Sequence, residues 1–234
     1  AGARRTMADN GDLAWLSGRV GRAEYQSRPG FTSRRRRRQG YAGAHEFSRL
    51  VDDAGAGIVC EPTKIGQAKR DVAEAGDAGP VIALIGWPTG RHHSLIKAAE
   101  ARLAVEEGAS EVWVAVDASG REDAARADDA DAGVSAETIN AVLADIIAVN
   151  QVVEEPTRFG VTFPASIGTR AVQELAEAVA KVGVDVVAVG VDKPDAIDLP
   201  SVTCRLAVHG EVESLDAAAD ALLAGAERVL PVRG

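Results

Sequence analysis

The sequence predicts an α/β protein folded as a (β/α)8 barrel, and three observations support this prediction. Apolar runs without alternation, typical of strands covered on both faces, recur from Gly57 onward. Amphipathic segments of helical length separate these runs, and glycines stand at the junctions from helix to strand. Seven such strands within 234 residues fit the size of this barrel. A doubly wound open sheet is the alternative, although the sequence has neither GxGxxG nor GxxxxGK[ST] at the expected place.

The clearest strand–helix–strand unit lies in residues 80–117. Its first strand is the apolar run Val81–Ile85, and its second strand is the run 111–116. A helix is predicted over residues 94–107, and the residues expected on its buried face are Leu95, Ala98, Ala99, Leu103 and Val105. Two parallel strands joined in this way take a right-handed crossover.

The same patterns predict the remaining elements. Strands are expected over residues 57–60, 160–163, 185–191, 202–208 and 227–232, and helices over 12–20, 45–54, 64–75, 169–182, 215–223 and after Ser135. Helix caps are expected at Thr63, Ser135, Thr169 and Ser214. An eighth strand has to lie in the first 44 residues, where no apolar run marks it. The barrel is predicted to be incomplete, because the helix after strand six shrinks to about 194–199 and no helix follows strand eight.

The first 44 residues differ in composition from the rest of the chain. We interpret 1–44 as an irregular basic segment and 45–234 as the barrel domain. The run Arg34–Arg38 is typical of a nucleic-acid or targeting arm, or of a solvated segment that contacts an acidic partner or the protein's own acidic body. The net charge of −9 and the aromatic content of 4% argue against nucleic acid as a partner.

The composition and the cysteine spacing bear on membrane association, cellular compartment and metal binding. No apolar run approaches the length of a membrane span, so no membrane partner is expected. Cys60 and Cys204 lie far apart without metal-ligand spacing, which favours a reduced, cytoplasmic protein. The side chains of the neighbouring His92 and His93 point apart, and nothing fixes the distance of Asp117 from them, so no metal site is predicted.

Four stretches stand in a distinctive order along the chain. They are GIVCEPTKIGQAK (57–69), VIALIGWPTGRHHSLIKAAEARLAVEEGASEVWVAVD (81–117), GVDVVAV (183–189) and AGAERVL (224–230). In order and spacing they resemble the deoxyribose-phosphate aldolase family. The resemblance implies a (β/α)8 barrel that cleaves 2-deoxyribose 5-phosphate through a Schiff-base lysine without a cofactor. It also implies a small phosphorylated sugar or aldehyde as ligand, and a homodimer as one arrangement.

The resemblance also assigns the family's catalytic positions. It places the Schiff-base lysine at Ala188, the acid/base carboxylate at Trp113 and a second lysine near Arg205. The family's phosphate loop is represented by residues 209–211, in which Glu211 would repel a phosphate. Because alanine cannot form an imine, the family's reaction is predicted to be impaired or lost.

Three hypotheses about function follow from these residues. The first is an altered or inactive relative of the aldolases. The second is an active Schiff-base aldolase with Lys193 as a displaced amine and Asp117 and Arg205 as helpers. The third is a non-enzymatic protein that binds an anion or a partner. The candidate residues for anion binding are Thr89, Gly90 and Arg91, at the start of a helix, together with Gly210.

Overall fold

A computed structural model of the chain describes residues 10–25, 43–76, 79–117, 133–192 and 199–232. The strands are β1 Arg22–Glu24, β2 Ile58–Cys60, β3 Val81–Ile85, β4 Glu111–Ala115, β5 Arg158–Pro164, β6 Val186–Val191, β7 Arg205–Gly210 and β8 Arg228–Pro231. The α-helices are α1 Asn10–Ser17, α2 Ala44–Asp53, α3 Ile65–Ala75, α4 Ser94–Glu106, α5 Ala136–Asn150, α6 Thr169–Ala180 and α7 Leu215–Leu223. Short 3-10 turns occupy Pro62–Lys64 and Ala165–Ile167.

The eight strands form one parallel sheet in the order of the sequence, from β1 to β8. Parallel bridges from Val20 to Val229 and from Ala23 to Val232 join the first strand region to the last. The sheet thereby curls into a barrel with helices packed around it. The predicted (β/α)8 architecture is confirmed, and the open doubly wound alternative is wrong.

Strand β1 is the eighth strand, whose position the sequence pattern did not reveal. It pairs with β2 through Arg22, Ala23 and Glu24. Only Ala23 of these three residues belongs to the apolar barrel interior. A three-residue strand with charged residues at both ends gives no apolar run, which is why the sequence pattern did not reveal it. The predicted boundary at residue 44 therefore falls between two paired strands.

Several predicted features fall outside the described residues. They include Arg34–Arg38, Lys193 and most of the segment 194–199. In the part of the chain that the structure describes, no helix is both long and apolar enough to cross a membrane.

Two of the predicted helix caps are confirmed. The Ser135 hydroxyl accepts a hydrogen bond from the Thr138 backbone N–H at 3.2 Å, and Ser214 does the same for Ala217 at 3.1 Å. The other two predictions are wrong, because Thr63 lies inside a 3-10 turn and Thr169 is already the first residue of α6.

Helix α4 has the predicted extent but presents a different face to the sheet. Its buried residues are Lys97, Ala98, Ala101 and Ala104. Leu95, Ile96 and Leu103 are instead 71%, 59% and 53% exposed. We attribute the difference to the sheet surface, where bulky residues of β3 and β4 leave room for alanines rather than leucines. The predicted burial of Leu95, Ala99 and Leu103 is therefore wrong.

Apolar packing divides into three regions. The largest lies between the outer surface of the sheet and helices α3 to α6. A second lies beneath α1, α2 and α7, and the third fills the interior of the barrel. Alanine and valine dominate all three, as the composition predicts, so that the interior is a packed core rather than a pore.

Candidate functional site

The carboxyl end of the barrel holds a layer of polar and aromatic side chains. Tyr25 and Trp87 follow β1 and β3, and Thr162 and His209 lie on β5 and β7. Ring centroids lie 4.8 Å apart for Tyr25 and Trp87 and 5.6 Å apart for Tyr25 and His209. Alternate strands thus supply one layer of four side chains, at the end of the barrel where active sites of this fold lie.

His209 lies at the centre of a hydrogen-bonded line. Its Nδ1 atom is 2.7 Å from the Tyr25 hydroxyl, and its Nε2 atom is 2.7 Å from Thr162 Oγ1. The ring is fully buried, and this burial lowers the pKa of His209 to about 3, so the imidazole is neutral at physiological pH. A neutral imidazole has one donor and one acceptor nitrogen, so His209 donates to one hydroxyl and accepts from the other.

The groups beside His209 are also held in their protonated forms. Burial, with a further contribution from Glu211, raises the pKa of Tyr25, so the phenol stays protonated. Burial and the nearby Glu213 also raise the pKa of Glu211. The layer therefore offers neutral hydroxyl and imidazole groups, with carboxyl groups beside them.

Trp113 of β4 lies below this layer, with its ring centroid 5.9 Å from that of His209. It is fully buried, and its Nε1 atom donates to Glu111 Oε2 at 3.2 Å. Room for the indole comes from Gly160 on β5, where any Cβ atom would overlap the Trp113 ring. The position that the family resemblance assigns to a carboxylate is thus filled by a packed aromatic ring.

A buried ion pair closes the amino end of the barrel. Arg228 binds both carboxylate oxygens of Glu111, with its Nη1 atom 3.1 Å from Oε1, and Arg158 approaches the same oxygen at 3.4 Å. The Arg228 guanidinium also lies 5.2 Å from the Trp113 ring centroid. These contacts fix Trp113 from below, as the layer above it does from the other side.

Ala188 of β6, assigned to the family's Schiff-base lysine, lies fully buried in the barrel interior. It pairs in register with Thr162 on one side and Ala207 on the other. The lysines of the described residues are Lys64, Lys69, Lys97 and Lys181, and none of them lies on a strand. No described strand therefore supplies an amine to the interior.

The helper residues predicted for a displaced lysine are not brought together. Asp117 follows β4 at the carboxyl end, where it is about half-exposed and lies 3.4 Å from Arg91 Nε. Arg205 begins β7 at the amino end of the barrel, where it lies 3.7 Å from Glu227. Lys193 lies outside the described residues. Asp117 and Arg205 consequently face opposite ends of the barrel.

The backbone donors of the predicted anion site already have partners. The Gly90 N–H donates to Gly86 O at 2.9 Å, and the Arg91 N–H donates to Thr89 Oγ1 at 3.3 Å. At the start of α4, the Leu95 N–H donates to His93 Nδ1 at 3.2 Å, so His93 serves as the helix cap.

Gly210 does not join this group, because it ends β7, across the barrel from β3. Its φ of +119° favours glycine, and a Cβ atom there would overlap the backbone of Val191. Among the described residues, no cluster of three or more potential metal ligands is present.

Cys60 is buried on β2 and unsuited to act as a nucleophile. Burial, together with Glu24 and Glu61, raises the pKa of the Cys60 thiol to about 12. Burial also raises the pKa of Cys204, which is partly exposed. Both thiols are therefore protonated at neutral pH.

The sequence pattern did not reveal the layer at the carboxyl end. His209 and Thr162 gave a weak signal, as polar residues inside otherwise apolar strands. Tyr25 and Trp87 gave none, because each follows a strand in a segment read as irregular or as a turn.

This architecture defines the chain as a (β/α)8-barrel protein, and solved structures share the fold. The solved structure described as "QR15, an Aldolase" superposes with a TM-score of 0.61 at 16% identity, covering 92% of this chain and 90% of that one. A putative deoxyribose-phosphate aldolase from Toxoplasma gondii ME49 gives a TM-score of 0.62 at 13% identity, covering 94% and 89%.

Sequence comparison identifies the family. A protein from Nocardia farcinica named deoxyribose-phosphate aldolase is 32% identical over 196 residues, which cover 76% of this chain and 82% of that protein. The chain belongs to the deoxyribose-phosphate aldolase family. No family model matches it.

Proposed function

We propose that this chain is a deoxyribose-phosphate aldolase-like protein in which the family's Schiff-base reaction is lost or strongly impaired. The observation that carries the proposal is Ala188, which lies buried in the barrel interior at the position assigned to the imine-forming lysine. A methyl group has no lone pair with which to attack a carbonyl carbon, so no covalent intermediate forms there.

The environment of Trp113 supports the same conclusion. Proton transfer to and from a carbinolamine needs a group that can gain and lose a proton, and an indole does neither near neutral pH. The ring also occupies interior space between His209 above and Arg228 below. A methyl group and an indole therefore stand at the positions assigned to the nucleophile and the acid/base group of the family's reaction.

The charges around the carboxyl end disfavour a phosphorylated substrate. Glu61, Asp117, Asp192 and Glu211 follow strands β2, β4, β6 and β7. Arg91, a cation at the same end of the barrel, lies within ion-pair distance of Asp117. Carboxylates at the same end of the barrel weaken the binding of a phosphate dianion, so loss of phosphate affinity accompanies loss of the amine.

A displaced lysine is the second candidate function. Lys193 directly follows Asp192, and Asp192 directly follows the carboxyl end of β6. Asp192 therefore lies at the edge of the barrel at which aldolase chemistry would occur, and Lys193 is the next residue in the sequence. In this alternative Lys193 forms the imine, and the protein retains aldolase activity.

Borohydride trapping separates the two candidates. The full chain is incubated with 2-deoxyribose 5-phosphate, reduced with borohydride and examined by intact-mass spectrometry, while release of acetaldehyde is followed separately. The Nocardia farcinica relative serves as the positive control. We expect neither an adduct nor acetaldehyde from the wild-type chain.

An adduct that maps to Lys193 and disappears in Lys193→Met would overturn the proposal in favour of the displaced lysine. Lys181→Met is the matched control, since Lys181 is an exposed lysine directly after α6. Turnover without any adduct would equally contradict the proposal.

A further inference from the structure

Two aromatic rings form the solvent-accessible part of the layer at the carboxyl end. Tyr25 and Trp87 are partly exposed, whereas His209 and Thr162 are buried. The planes of the two exposed rings are inclined by 58° with centroids 4.8 Å apart, so the rings present two angled aromatic surfaces rather than a stack. A ligand that approaches the layer from solvent therefore meets Tyr25 and Trp87 first.

The indole N–H of Trp87 is a donor without an acceptor. Its Nε1 atom is shielded from solvent and has no hydrogen-bond partner among the described residues. The backbone that carries the ring is held in place, because the Gly86 N–H donates to Glu100 Oε2 at 2.7 Å and the Gly90 N–H donates to Gly86 O at 2.9 Å. Buried donors in folded proteins nearly always have an acceptor, so this N–H indicates an acceptor that the described residues do not supply.

Glu211 supplies a hydrogen-bond acceptor beside the aromatic rings. It directly follows Gly210 of β7 and is partly buried, and its backbone N–H donates to Val191 O at 2.8 Å, which fixes it at the end of the barrel. Its carboxyl group lies close enough to Tyr25 to raise the pKa of the phenol. Within the described part of the chain, no hydrogen bond or ion pair engages this carboxyl group. It can therefore accept a hydrogen bond from a ligand.

A ligand with several hydroxyl groups complements both features. One hydroxyl oxygen accepts from the indole of Trp87, and another hydroxyl donates to Glu211. The C–H groups of such a ligand pack against the aromatic rings, as in other sites lined by aromatic side chains with a few polar groups. A phosphate dianion accepts from the indole but has no hydrogen to donate, and the carboxylate repels it. An ammonium group pairs with the carboxylate but cannot accept from the indole.

We propose that the carboxyl end of the barrel binds an uncharged, unphosphorylated sugar or polyol, and that Trp87 and Glu211 select hydroxyl groups over phosphate. A small rotation of the partly exposed indole brings Nε1 to a hydroxyl oxygen of the ligand, while the Glu211 carboxyl group accepts from a second hydroxyl. Binding is non-covalent and involves no chemical step. The inference rests on the proposed function, because it assigns a ligand to a site that has lost the Schiff-base lysine and its affinity for phosphate.

Ligand binding to the full chain tests this proposal. Isothermal titration calorimetry compares 2-deoxyribose with 2-deoxyribose 5-phosphate, and choline serves as a cationic probe. We expect 2-deoxyribose to bind at least about tenfold more tightly than its 5-phosphate, because the two ligands differ only in the group that the carboxylates repel. The chain has three tryptophans, so nitrogen-15 labelling of tryptophan gives three indole N–H signals in NMR spectra. The signal that is absent in Trp87→Phe should shift when 2-deoxyribose is added to the wild type.

Two substitutions separate the roles of the donor and the acceptor. Trp87→Phe keeps an aromatic ring without the N–H and should weaken 2-deoxyribose binding about fivefold. Its matched control is Trp15→Phe, since Trp15 packs beneath α1 and α2, away from the carboxyl end. Glu211→Gln removes the charge and should reduce the preference for 2-deoxyribose over its 5-phosphate, whereas Glu227→Gln at the amino end should leave it unchanged. Circular dichroism and urea unfolding check that each variant is folded.

Three outcomes would overturn the inference. The first is a wild-type chain that binds no 2-deoxyribose and whose Trp87 indole signal does not move. The second is a 5-phosphate that binds as tightly as the unphosphorylated sugar. The third is a Trp87 signal that responds to choline and not to the sugar. An absence of sugar binding without any borohydride adduct would overturn this inference alone, whereas a borohydride adduct would overturn the proposed function.

Discussion

The Nε2 atom of His209 on β7 lies 2.7 Å from the Oγ1 atom of Thr162 on β5, inside a barrel that is otherwise lined mainly by hydrocarbon. The other ring nitrogen bonds the Tyr25 hydroxyl, so one neutral line joins three strand regions. Satisfied polar networks of this kind hold a core in one arrangement, because any change of register leaves a buried polar group without a partner.

The buried imidazole should make stability depend on pH. The pKa of His209 falls from its ordinary value of 6.5 to about 3 in the folded chain, so between these values the unfolded chain binds a proton that the folded chain does not. Above pH 6.5, protonation of His209 does not affect the free energy of unfolding. As the pH falls from 6.5 toward 3, the free energy of unfolding decreases through this group by at most about 1.4 kcal/mol per pH unit.

The measurement is urea unfolding of the wild type and of His209→Gln at a series of pH values. Carboxyl groups contribute similarly to both proteins, so the difference between the two curves isolates the imidazole. We expect this difference to change with pH below 6.5 and to be flat above it. Parallel curves across the whole range would contradict the assignment of a neutral, buried His209.

The contact between Trp113 and Gly160 should not tolerate an added methyl group. In Gly160→Ala the new Cβ atom would overlap the indole, and we expect a loss of about 1–3 kcal/mol in the free energy of unfolding. Gly66→Ala is the control, since Gly66 is exposed in α3 and its Cβ would lie 3.9 Å from the nearest atom, on Arg70. It should stabilise the protein by up to about 1 kcal/mol. Equal effects of both substitutions would refute this account of the packing.

Loss of Asp145 should destabilise the chain strongly. Asp145→Ala leaves the ammonium group of Lys97 buried, with the Ala115 carbonyl as its remaining partner among the described residues, and removing one member of a buried pair costs about 3–5 kcal/mol. Asp53→Ala removes a pair with Arg49 in which both side chains are well exposed, and it should cost less than about 1 kcal/mol. Denaturant midpoints at constant m-value provide the comparison, and similar midpoints for the two variants would show that the Lys97 pair adds little.

The two thiols should differ in reactivity. In the folded chain we expect an aromatic disulfide reagent to label Cys204 slowly and to leave Cys60 unlabelled, because Cys60 has no exposed surface and its thiol pKa is raised to about 12. Both cysteines should react rapidly in denaturant. Cys204→Ser should therefore show no labelling under native conditions, and rapid native labelling of that variant would mean that β2 opens readily.

The local pattern of apolar residues predicted the strands that are buried on both faces. Strand β3 has the predicted bounds of Val81 and Ile85, because five consecutive apolar residues between turn residues admit few other readings. Strand β1 escaped detection because its pairing with β2 and the bridges to the β8 region, rather than an apolar run, define it. The buried face of α4 was misread because helical spacing alone fits two stripes, one of leucines and one of alanines with Lys97.

The sequence by itself determined the order of strands and helices from β2 onward, the family, and the presence of Ala188 and Trp113 at the positions assigned to the family's lysine and carboxylate. These features depend on neighbours a few residues apart or on aligned positions. Only the tertiary structure decided that Tyr25 and His209, 184 residues apart, share a hydrogen bond, and that α4 turns its leucines outward. Such contacts depend on which surfaces meet when the barrel closes, and the spacing of residues along the chain does not encode that choice.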